Sequence, residues 1–284
     1  MKSERIGILH PGEMGISIAA SALRSGHEVF WASEGRSFAT RDRAARYGLR
    51  DRRAVADLCA ACSILISVCP PHAAETVARL VLASSFTGLY VDANALSPKR
   101  TITMGHAMEE AGIAFVDGGI IGEPAWKPQT TWLYLAGLRA ADAAACFSAG
   151  PLKTHVLGET IGKASALKMC FSAYSKGTTA LLSAALAAAE HLGVRQALVE
   201  EWARREPELP ALASQRVRGA TAKAWRFVGE MEEIAATFDD AGLPPDFHRA
   251  AARLYGRLAR FKDSHTLPEF EEVLAALLQG EREP

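Results

Sequence analysis

Lysine and hydroxyl side chains recur at regular intervals along one apolar stretch in the second half of the chain. Residues 163–192 are rich in Ala, Leu, Met and Phe and contain no proline, which predicts one helix about 45 Å long. Five polar residues in it are spaced four, four, three and four positions apart, so they lie along one side of that helix. They are Lys168, Ser172, Lys176, Thr179 and Ser183.

A lysine on a helix that is buried around much of its girth needs a polar cleft or a partner, and a substrate carboxylate could supply one. Such a lysine can act as a general acid or base. We therefore predict a catalytic role for Lys168. For Lys176 two interpretations stay open: it binds substrate, or it reaches the surface while the hydroxyl groups hydrogen-bond back to the helix.

A second group of residues forms a turn between the apolar run 5–9 and a helical segment at 13–24, and it reads HPGEMG. In a first strand–turn–helix unit, Gly12 leaves room for a pyrophosphate, and the amides of Glu13 and Met14 point at it from the helix N-terminus. His10 stands where the first glycine of a GxGxxG loop is usual, and Pro11 holds a negative φ after it. Residues 10–14 are thus predicted to bind a dinucleotide; the alternative is a turn whose small residues only help the helix to pack.

The segment after the second apolar run, 28–32, contains basic and hydroxyl residues that could hold a 2′-phosphate. These residues are Ser33, Arg36, Ser37 and Arg41. Glu34 could instead accept a hydrogen bond from a ribose hydroxyl, as in NAD-binding proteins. The pattern favours NADP over NAD, with a solvated helix face as the alternative for Arg41 and Arg43.

Three further segments follow apolar strand-like runs, and ligands in open α/β sheets bind at the carboxyl ends of strands. Cys69, Pro70 and Pro71 follow the run 63–68 and are predicted to contact the cofactor. Asn94 follows the run 89–93 and could reach nicotinamide or substrate, or form a helix-capping Asx turn. In the last segment, VDGG, the amides of Gly118 and Gly119 could bind a carboxylate, or the pair could simply form a glycine-bearing loop.

Strand-like and helical segments alternate through a strand at 113–118, which predicts a doubly wound parallel sheet of the Rossmann type. The pattern changes after about residue 125, where one more strand at 130–137, a helix and a last short strand at 154–159 are expected. Beyond Gly162 the pattern is helical throughout. We therefore expect an α/β chain with an NAD(P)-binding domain at 1–160 and an all-helical domain at 161–284. The helical segments expected after the long helix are 195–205, 209–218, 222–241 and 246–262.

Composition excludes several classes of protein. The 284 residues carry 32 Lys+Arg and 32 Asp+Glu, without the basic excess of a nucleic-acid binder. No apolar run reaches the roughly 18 residues of a membrane span, and the N-terminus lacks a signal-peptide pattern, so a cytoplasmic protein is expected. Cys59 and Cys62 form a CxxC without a second pair, so we expect reduced structural thiols and no metal site.

In order along the chain, IGILHPGEMG, VDGG and GKASALKMCFSAYSKG resemble the β-hydroxyacid dehydrogenases, the superfamily of 3-hydroxyisobutyrate and 6-phosphogluconate dehydrogenases. The segments DANALSP and AWRFVGEMEEIAATFDDAGLP are similar to a poorly characterised branch whose C-terminal domain resembles that of phosphogluconate dehydrogenase. Together these matches cover most of residues 5–262.

The resemblance implies hydride transfer between a nicotinamide and a small 3-hydroxy acid, with Lys168 as general acid/base. It implies a homodimer formed through the helical domain, to whose partner cleft Arg226 or Glu230 could contribute; an i,i+4 surface ion pair between these two is the simpler account. The family's substrate-binding asparagine falls on Ser172, which becomes a predicted substrate-binding residue.

The sequence departs from the family at Ser172, at His10, and at Gly118 and Ile120, where the substrate loop usually carries a serine. Two alternatives therefore stay open: a protein that binds NADP as a sensor or partner without turnover, and an imine reductase.

Overall fold

The structure, a computed structural model, describes residues 3–262, 264 and 266–279. Strands and helices alternate through the first 160 residues, as the sequence pattern predicts. The strands are β1 (Arg5–Ile8), β2 (Glu28–Trp31), β3 (Arg50–Asp51), β4 (Ile64–Ser67), β5 (Leu89–Asp92), β6 (Ala114–Gly122), β7 (Thr131–Ala136) and β8 (Lys153–Gly158). The helices among them are α1 (Glu13–Arg24), α2 (Phe38–Arg46), α3 (Val55–Ala61), α4 (Pro71–Leu82), α5 (Pro98–Glu110) and α6 (Ala140–Ala145).

The strands form one eight-stranded sheet in the order β3-β2-β1-β4-β5-β6-β7-β8. All neighbouring pairs are parallel except β6 and β7, which are antiparallel. The parallel sheet expected from the alternation is confirmed for β1, β2, β4, β5 and β6, and β7 pairs antiparallel with β6 because residues 123–130 between them are too few for a crossover helix. The short edge strand β3, made of Arg50 and Asp51, was not predicted.

Both faces of the sheet are covered, as in a doubly wound fold. On one face, Ile6 and Ile8 of β1 are buried in a cluster with residues of α1 and α6. On the other face, Leu65 of β4 and Tyr90 of β5 are buried in a cluster with residues of α3, α4 and α5. Two cores thus hold the carboxyl ends of the strands in fixed positions.

The elements described after β8 are helical. They are α7 (Lys163–His191), α8 (Arg195–Arg205), α9 (Leu209–Ala220), α10 (Ala224–Asp240), α11 (Asp246–Arg257) and α12 (Phe270–Leu278). The expected helices all occur, and α12, which was not expected, buries Val273, Leu274 and Leu277 behind a capping box formed by Glu269 and Glu272. The structure therefore confirms a Rossmann-type α/β region followed by a helical region.

Two compact units divide the chain, Met1–Met169 and Cys170–Pro284. The division falls inside α7, so the first turns of this helix belong to the sheet-containing unit. Lys168 lies in that unit, whereas Ser172 and Lys176 lie in the helical one.

Candidate functional site

The order of strands changes direction between β1 and β4, and two loops meet at this point of the sheet. The amide of Leu9, just after β1, donates to the carbonyl of Ile66 in β4 at 3.1 Å. Residues 9–12 after β1 and 68–70 after β4 therefore lie at the topological switch point, where doubly wound sheets bind their ligands.

The turn after β1 shows different roles for its two glycines. A Cβ placed on Gly15 would lie 2.1 Å from the carbonyl oxygen of His10, so only glycine permits this approach of α1 to the turn. A Cβ on Gly12 would meet no atom within 4 Å. Gly12 is the N-cap of α1, and its amide donates to the His10 carbonyl at 2.9 Å. Gly15 thus shapes the turn, and Gly12 leaves open space at the helix N-terminus, where first-turn amides have no intrahelical partner.

Two arginines hold the backbone of this turn. The Arg36 guanidinium donates to the Leu9 carbonyl at 3.4 Å, and that of Arg43 donates to the Pro11 carbonyl at 3.4 Å. Burial, together with the nearby Arg36 charge, lowers the pKa of His10 to about 4, so its imidazole is neutral at pH 7. His10 Nδ1 and Arg36 Nε are buried without a hydrogen-bond partner among the described residues.

The other residues predicted to bind a 2′-phosphate have partners within the chain. Ser37 caps α2, and its hydroxyl accepts from the Thr40 amide at 3.3 Å. Asp51, at the end of β3, interacts with Ser33 and lies near the Arg41 charge. The structure therefore gathers Ser33, Arg36, Ser37 and Arg41 at the end of β2 but gives the two serines structural roles as well.

Asn94 joins the loops that follow β4 and β5. Its Oδ1 accepts from the Cys69 amide at 2.6 Å, and its Nδ2 donates to the Ser67 hydroxyl at 3.0 Å. The Asn94 amide donates to Asp92 Oδ1 at 2.8 Å, so the Asx turn here is made by the Asp92 side chain, and the helix-capping Asx turn given as one interpretation for Asn94 is wrong, since Ser97 is the N-cap of α5. Pro70 is the N-cap of α4 and Pro71 its first residue, so the segment 69–71 is held rigidly beside the switch point.

A buried carboxyl group lies behind this network. Burial raises the pKa of Asp92 to about 7; the neighbouring Asp117 charge adds to the effect, and the hydrogen bonds from Asn94 oppose it. Its Oδ2 has no hydrogen-bond partner among the described residues. In the unfolded chain an aspartate has a pKa of about 3.9. Because the folded state binds the proton more tightly, Asp92 favours folding less and less as the pH rises from about 4 to about 7.

The variant Asp92→Asn removes this titration while keeping an acceptor for the Asn94 amide. We expect its melting temperature, relative to wild type, to be about 5–10 °C higher at pH 8 than at pH 5, because wild type loses about 2–3 kcal/mol over this interval. Differential scanning calorimetry at both pH values measures the two differences. Asp142→Asn, at an exposed carboxyl of α6, is the matched control. If Asp92→Asn and wild type differ in melting temperature by the same amount at pH 5 and at pH 8, the pKa of Asp92 is not raised by burial.

The glycine pair lies inside β6 and not at its end, because β6 pairs with β7 from Asp117 through Gly122. The strand boundary expected at residue 118 is therefore wrong. A Cβ on Gly118 would lie 2.9 Å from the Asp92 carbonyl, and one on Gly119 would lie 2.6 Å from the Ala164 carbonyl. The missing side chains thus let β5 and the first turn of α7 approach β6 closely.

Lys168 also lies at the carboxyl ends of the strands, beside Gly119 of β6. Its Cβ lies 3.2 Å from the position of a Cβ on Gly119, and its side chain is half-buried. Gly118, Gly119 and Lys168 are therefore brought together beside the end of β5, which carries Asn94. A lysine amino group at the carboxyl edge of a dinucleotide-binding sheet can exchange a proton with a bound substrate.

Within the helical unit, Lys176 has a partner from another helix. Its Nζ forms an ion pair with Glu230 of α10, lies 3.4 Å from the Ser172 hydroxyl, and sits 5.0 Å from the centre of the Phe227 ring. Both charged side chains are largely buried. Of the two interpretations left open for Lys176, the one in which it reaches the surface is wrong, and this ion pair gives the lysine a structural role in addition to the predicted substrate-binding one.

Sequence reasoning missed the two carboxyl groups Asp92 and Asp117, together with Arg43. Both aspartates follow apolar residues, in YVD and FVD, and a buried acid directly after such a run was the available indication. Arg43 had been assigned to a solvated helix face, because the pattern of α2 cannot show that its guanidinium reaches the turn after β1.

The cysteines agree with a structural role. All five are free. Burial raises the pKa of Cys62 to about 12 and that of Cys69 to about 12, so both are thiols at neutral pH. Among the described residues, no group of His, Cys, Asp and Glu could hold a metal ion, and no helix in that part is long and apolar enough to cross a membrane.

The geometry fits a dinucleotide. Open space at Gly12, at the N-terminus of α1, and the buried unpaired atoms of His10 and Arg36 lie at the switch point of the sheet. These features define the class of Rossmann-type, nucleotide-binding α/β proteins.

A family model that matches the chain identifies its family within this class. The NAD binding domain of 6-phosphogluconate dehydrogenase matches residues 5–146, half of the chain, so the chain belongs to that family. A domain of unknown function, DUF1932, matches residues 189–258. The family resemblance expected from the sequence is confirmed.

Similar proteins are known in sequence and structure. An uncharacterised 28.5 kDa protein of Methanothermus fervidus is 29% identical over 242 residues, which are 85% of this chain and 93% of that protein. A conserved protein of unknown function, whose structure is described as similar to 3-hydroxyacid dehydrogenases, is 28% identical (TM-score 0.68) over 90% of this chain and 97% of its own. Mycobacterium tuberculosis 3-hydroxyisobutyrate dehydrogenase, solved with L-serine, shares the fold (TM-score 0.70) at 19% identity over 98% and 100% of the two chains.

Proposed function

We propose that the protein is an NADP-dependent oxidoreductase that transfers hydride between nicotinamide and a small 3-hydroxy acid or a related carbonyl compound. The observation that carries this proposal is the position of Lys168 beside Gly119, at the same sheet edge as the glycine turn and Asn94. The similarity of this chain to a protein whose structure is described as similar to 3-hydroxyacid dehydrogenases supports the reaction class.

In this proposal the bound nicotinamide supplies the hydride acceptor or donor. Lys168 takes the proton of the substrate hydroxyl during oxidation and returns it to the developing alkoxide during reduction. Asn94 orients the reacting partners at the ends of β4 and β5, and the amides of Gly118 and Gly119 bind the substrate carboxylate. Ser172 and Lys176, further along α7, contribute to substrate binding.

The preference for NADP is supported by charge at the end of β2. A 2′-phosphate there would meet Arg36, whose Nε is buried without a hydrogen-bond partner among the residues described, and Arg41. His10, neutral at pH 7, could hydrogen-bond through Nδ1 without adding charge. Glu34 is the residue that would favour the free ribose of NAD.

We further propose that the protein acts as a homodimer through its helical domain. Large apolar side chains lie exposed along α7 at a spacing of three and seven residues. They are Phe171 (46% exposed), Tyr174 (73%) and Leu181 (56%). Such an exposed apolar face on one helix is typical of a protein interface.

One screen tests the function. Purified protein is assayed with 3-hydroxy acids, the corresponding keto compounds and cyclic imines, each with NADPH or NADP⁺ and with NADH or NAD⁺. We expect turnover of at least one 3-hydroxy acid or keto compound, and NADPH binding at least about tenfold tighter than NADH, equivalent to about 1.4 kcal/mol. NADPH binding without any turnover would indicate a sensor, and turnover of imines alone would indicate an imine reductase.

A further inference from the structure

We propose that Asp117 is the positioning residue for Lys168: its carboxylate anchors the first turn of α7 to the sheet and so sets where the lysine amino group can reach. This inference rests on the proposed function of Lys168.

The Asp117 side chain caps the N-terminus of α7. Its Oδ2 accepts from the amides of Gly162 and Ala164, both at 2.9 Å, and of Ser165 at 3.1 Å. Its Oδ1 accepts from the Ser165 hydroxyl at 2.6 Å. Amides at a helix N-terminus have no intrahelical partners, so one buried carboxylate satisfies three of them and places a negative charge at the positive end of the helix dipole.

The cap continues into a third element. The hydroxyl groups of Thr101 in α5 and Ser165 lie 2.9 Å apart. Because a carboxylate can only accept, the Ser165 proton points at Asp117, and Thr101 therefore donates to Ser165. Strand β6, helix α5 and helix α7 are thus joined through one chain of buried hydrogen bonds.

Position along the helix links this cap to Lys168. Lys168 follows Ser165 by three residues and therefore lies on the same side of α7, one turn further on. The Ala164 carbonyl and the Lys168 Cβ both approach Gly119, two residues after Asp117 in β6. A short stretch of one strand thus holds the helix backbone by hydrogen bonds and the lysine by direct contact.

A side chain of the same shape could fill the space of Asp117, but the cap also needs its negative charge and its two accepting oxygens. An asparagine of nearly the same shape would turn part of the acceptor into an N–H group facing the helix amides. It would also remove the charge that the helix terminus stabilises. The first turn of α7 would then loosen, and a displacement of about 1 Å at a catalytic group can cost roughly 100-fold in rate.

The test is a double-mutant cycle with Asp117→Asn and Lys168→Ala, in which kcat, KM and the NADPH dissociation constant are measured for each protein. We expect Asp117→Asn to lower kcat about 100-fold in the wild-type background and less than about threefold in the Lys168→Ala background, with the NADPH affinity unchanged. Equal losses in both backgrounds would overturn the inference, because a merely structural role does not depend on the lysine.

Amide hydrogen exchange provides a measurement that does not need turnover. In Asp117→Asn the amides of Gly162, Ala164 and Ser165 should exchange at least about tenfold faster, while exchange in β1 and α1 stays as in wild type. Asp142→Asn, at an exposed carboxyl, should change neither exchange nor kcat. If Asp117→Asn does not fold, Ser165→Ala removes two hydrogen bonds, the one to Asp117 and the one from Thr101, and should lower kcat about 3–10-fold, equivalent to about 0.7–1.4 kcal/mol.

These outcomes separate the inference from the proposed function. A wild-type protein without turnover on any substrate overturns the proposed function and, with it, the role of the cap in catalysis. Turnover that depends on Lys168, combined with unchanged exchange or unchanged kcat in Asp117→Asn, overturns the inference alone.

Discussion

Alanine in place of Lys168 should lower kcat by about 10²–10⁴-fold, the usual contribution of a positioned general acid or base. The lysine lies at the edge of the sheet that also carries the glycine turn, but its Cβ packs on Gly119 and not on that turn. Binding of NADPH should therefore stay within about twofold of wild type, as expected when an interaction made in the transition state alone is removed. Steady-state kinetics and fluorescence titration with NADPH measure the two quantities.

Lys163→Ala is the matched control for this variant, because Lys163 is an exposed lysine at the start of the same helix. It should retain wild-type kcat. Full activity of Lys168→Ala on a substrate that the wild-type protein turns over would remove Lys168 from the mechanism.

Valine in place of Gly12 should weaken NADPH binding by about 100-fold or more, equivalent to about 2.7 kcal/mol. A Cβ at this position meets no protein atom within 4 Å, and Gly12 has a φ of −68°, which any residue adopts. The fold should therefore accept valine, whereas the space beside the first-turn amides of α1 would be filled. Isothermal titration with NADPH measures the loss, and the melting temperature of the free protein should stay close to that of wild type.

Gly219→Val is the control, because Gly219 is an exposed glycine of α9 whose Cβ would also meet nothing within 4 Å. Gly15 cannot serve in this experiment, since any side chain there collides with the His10 carbonyl and disturbs folding. Unimpaired titration of Gly12→Val would show that the dinucleotide phosphates do not lie at this turn.

Much of the fold could be predicted because local patterns and global packing agree. The β-branched run of β4 is buried on both faces of the sheet, and the long proline-free stretch forms one helix. The prediction was incomplete where the local pattern carries too little information. The apolar pattern of β7 does not show that this strand runs antiparallel to β6, and β3 consists of two exposed residues with no apolar pattern.

The candidate site could be predicted only where a local residue pattern marks it. Glycine turns and a lysine on an apolar helix are visible as residue types at fixed spacing. The partners of Asp117 lie 45 to 48 residues away in sequence, so no local pattern reveals them. The pairing of Lys176 with Glu230 spans 54 residues and was missed likewise.

The two edges of the sheet bear on how copies of this chain can associate. β3 at one edge consists of Arg50 and Asp51, and β8 at the other exposes Lys153 and His155. Exposed strand edges invite pairing with another chain, and very short strands or charged side chains oppose it. Extension of the sheet from one copy into the next is therefore disfavoured at β3, whose two residues are both exposed and charged.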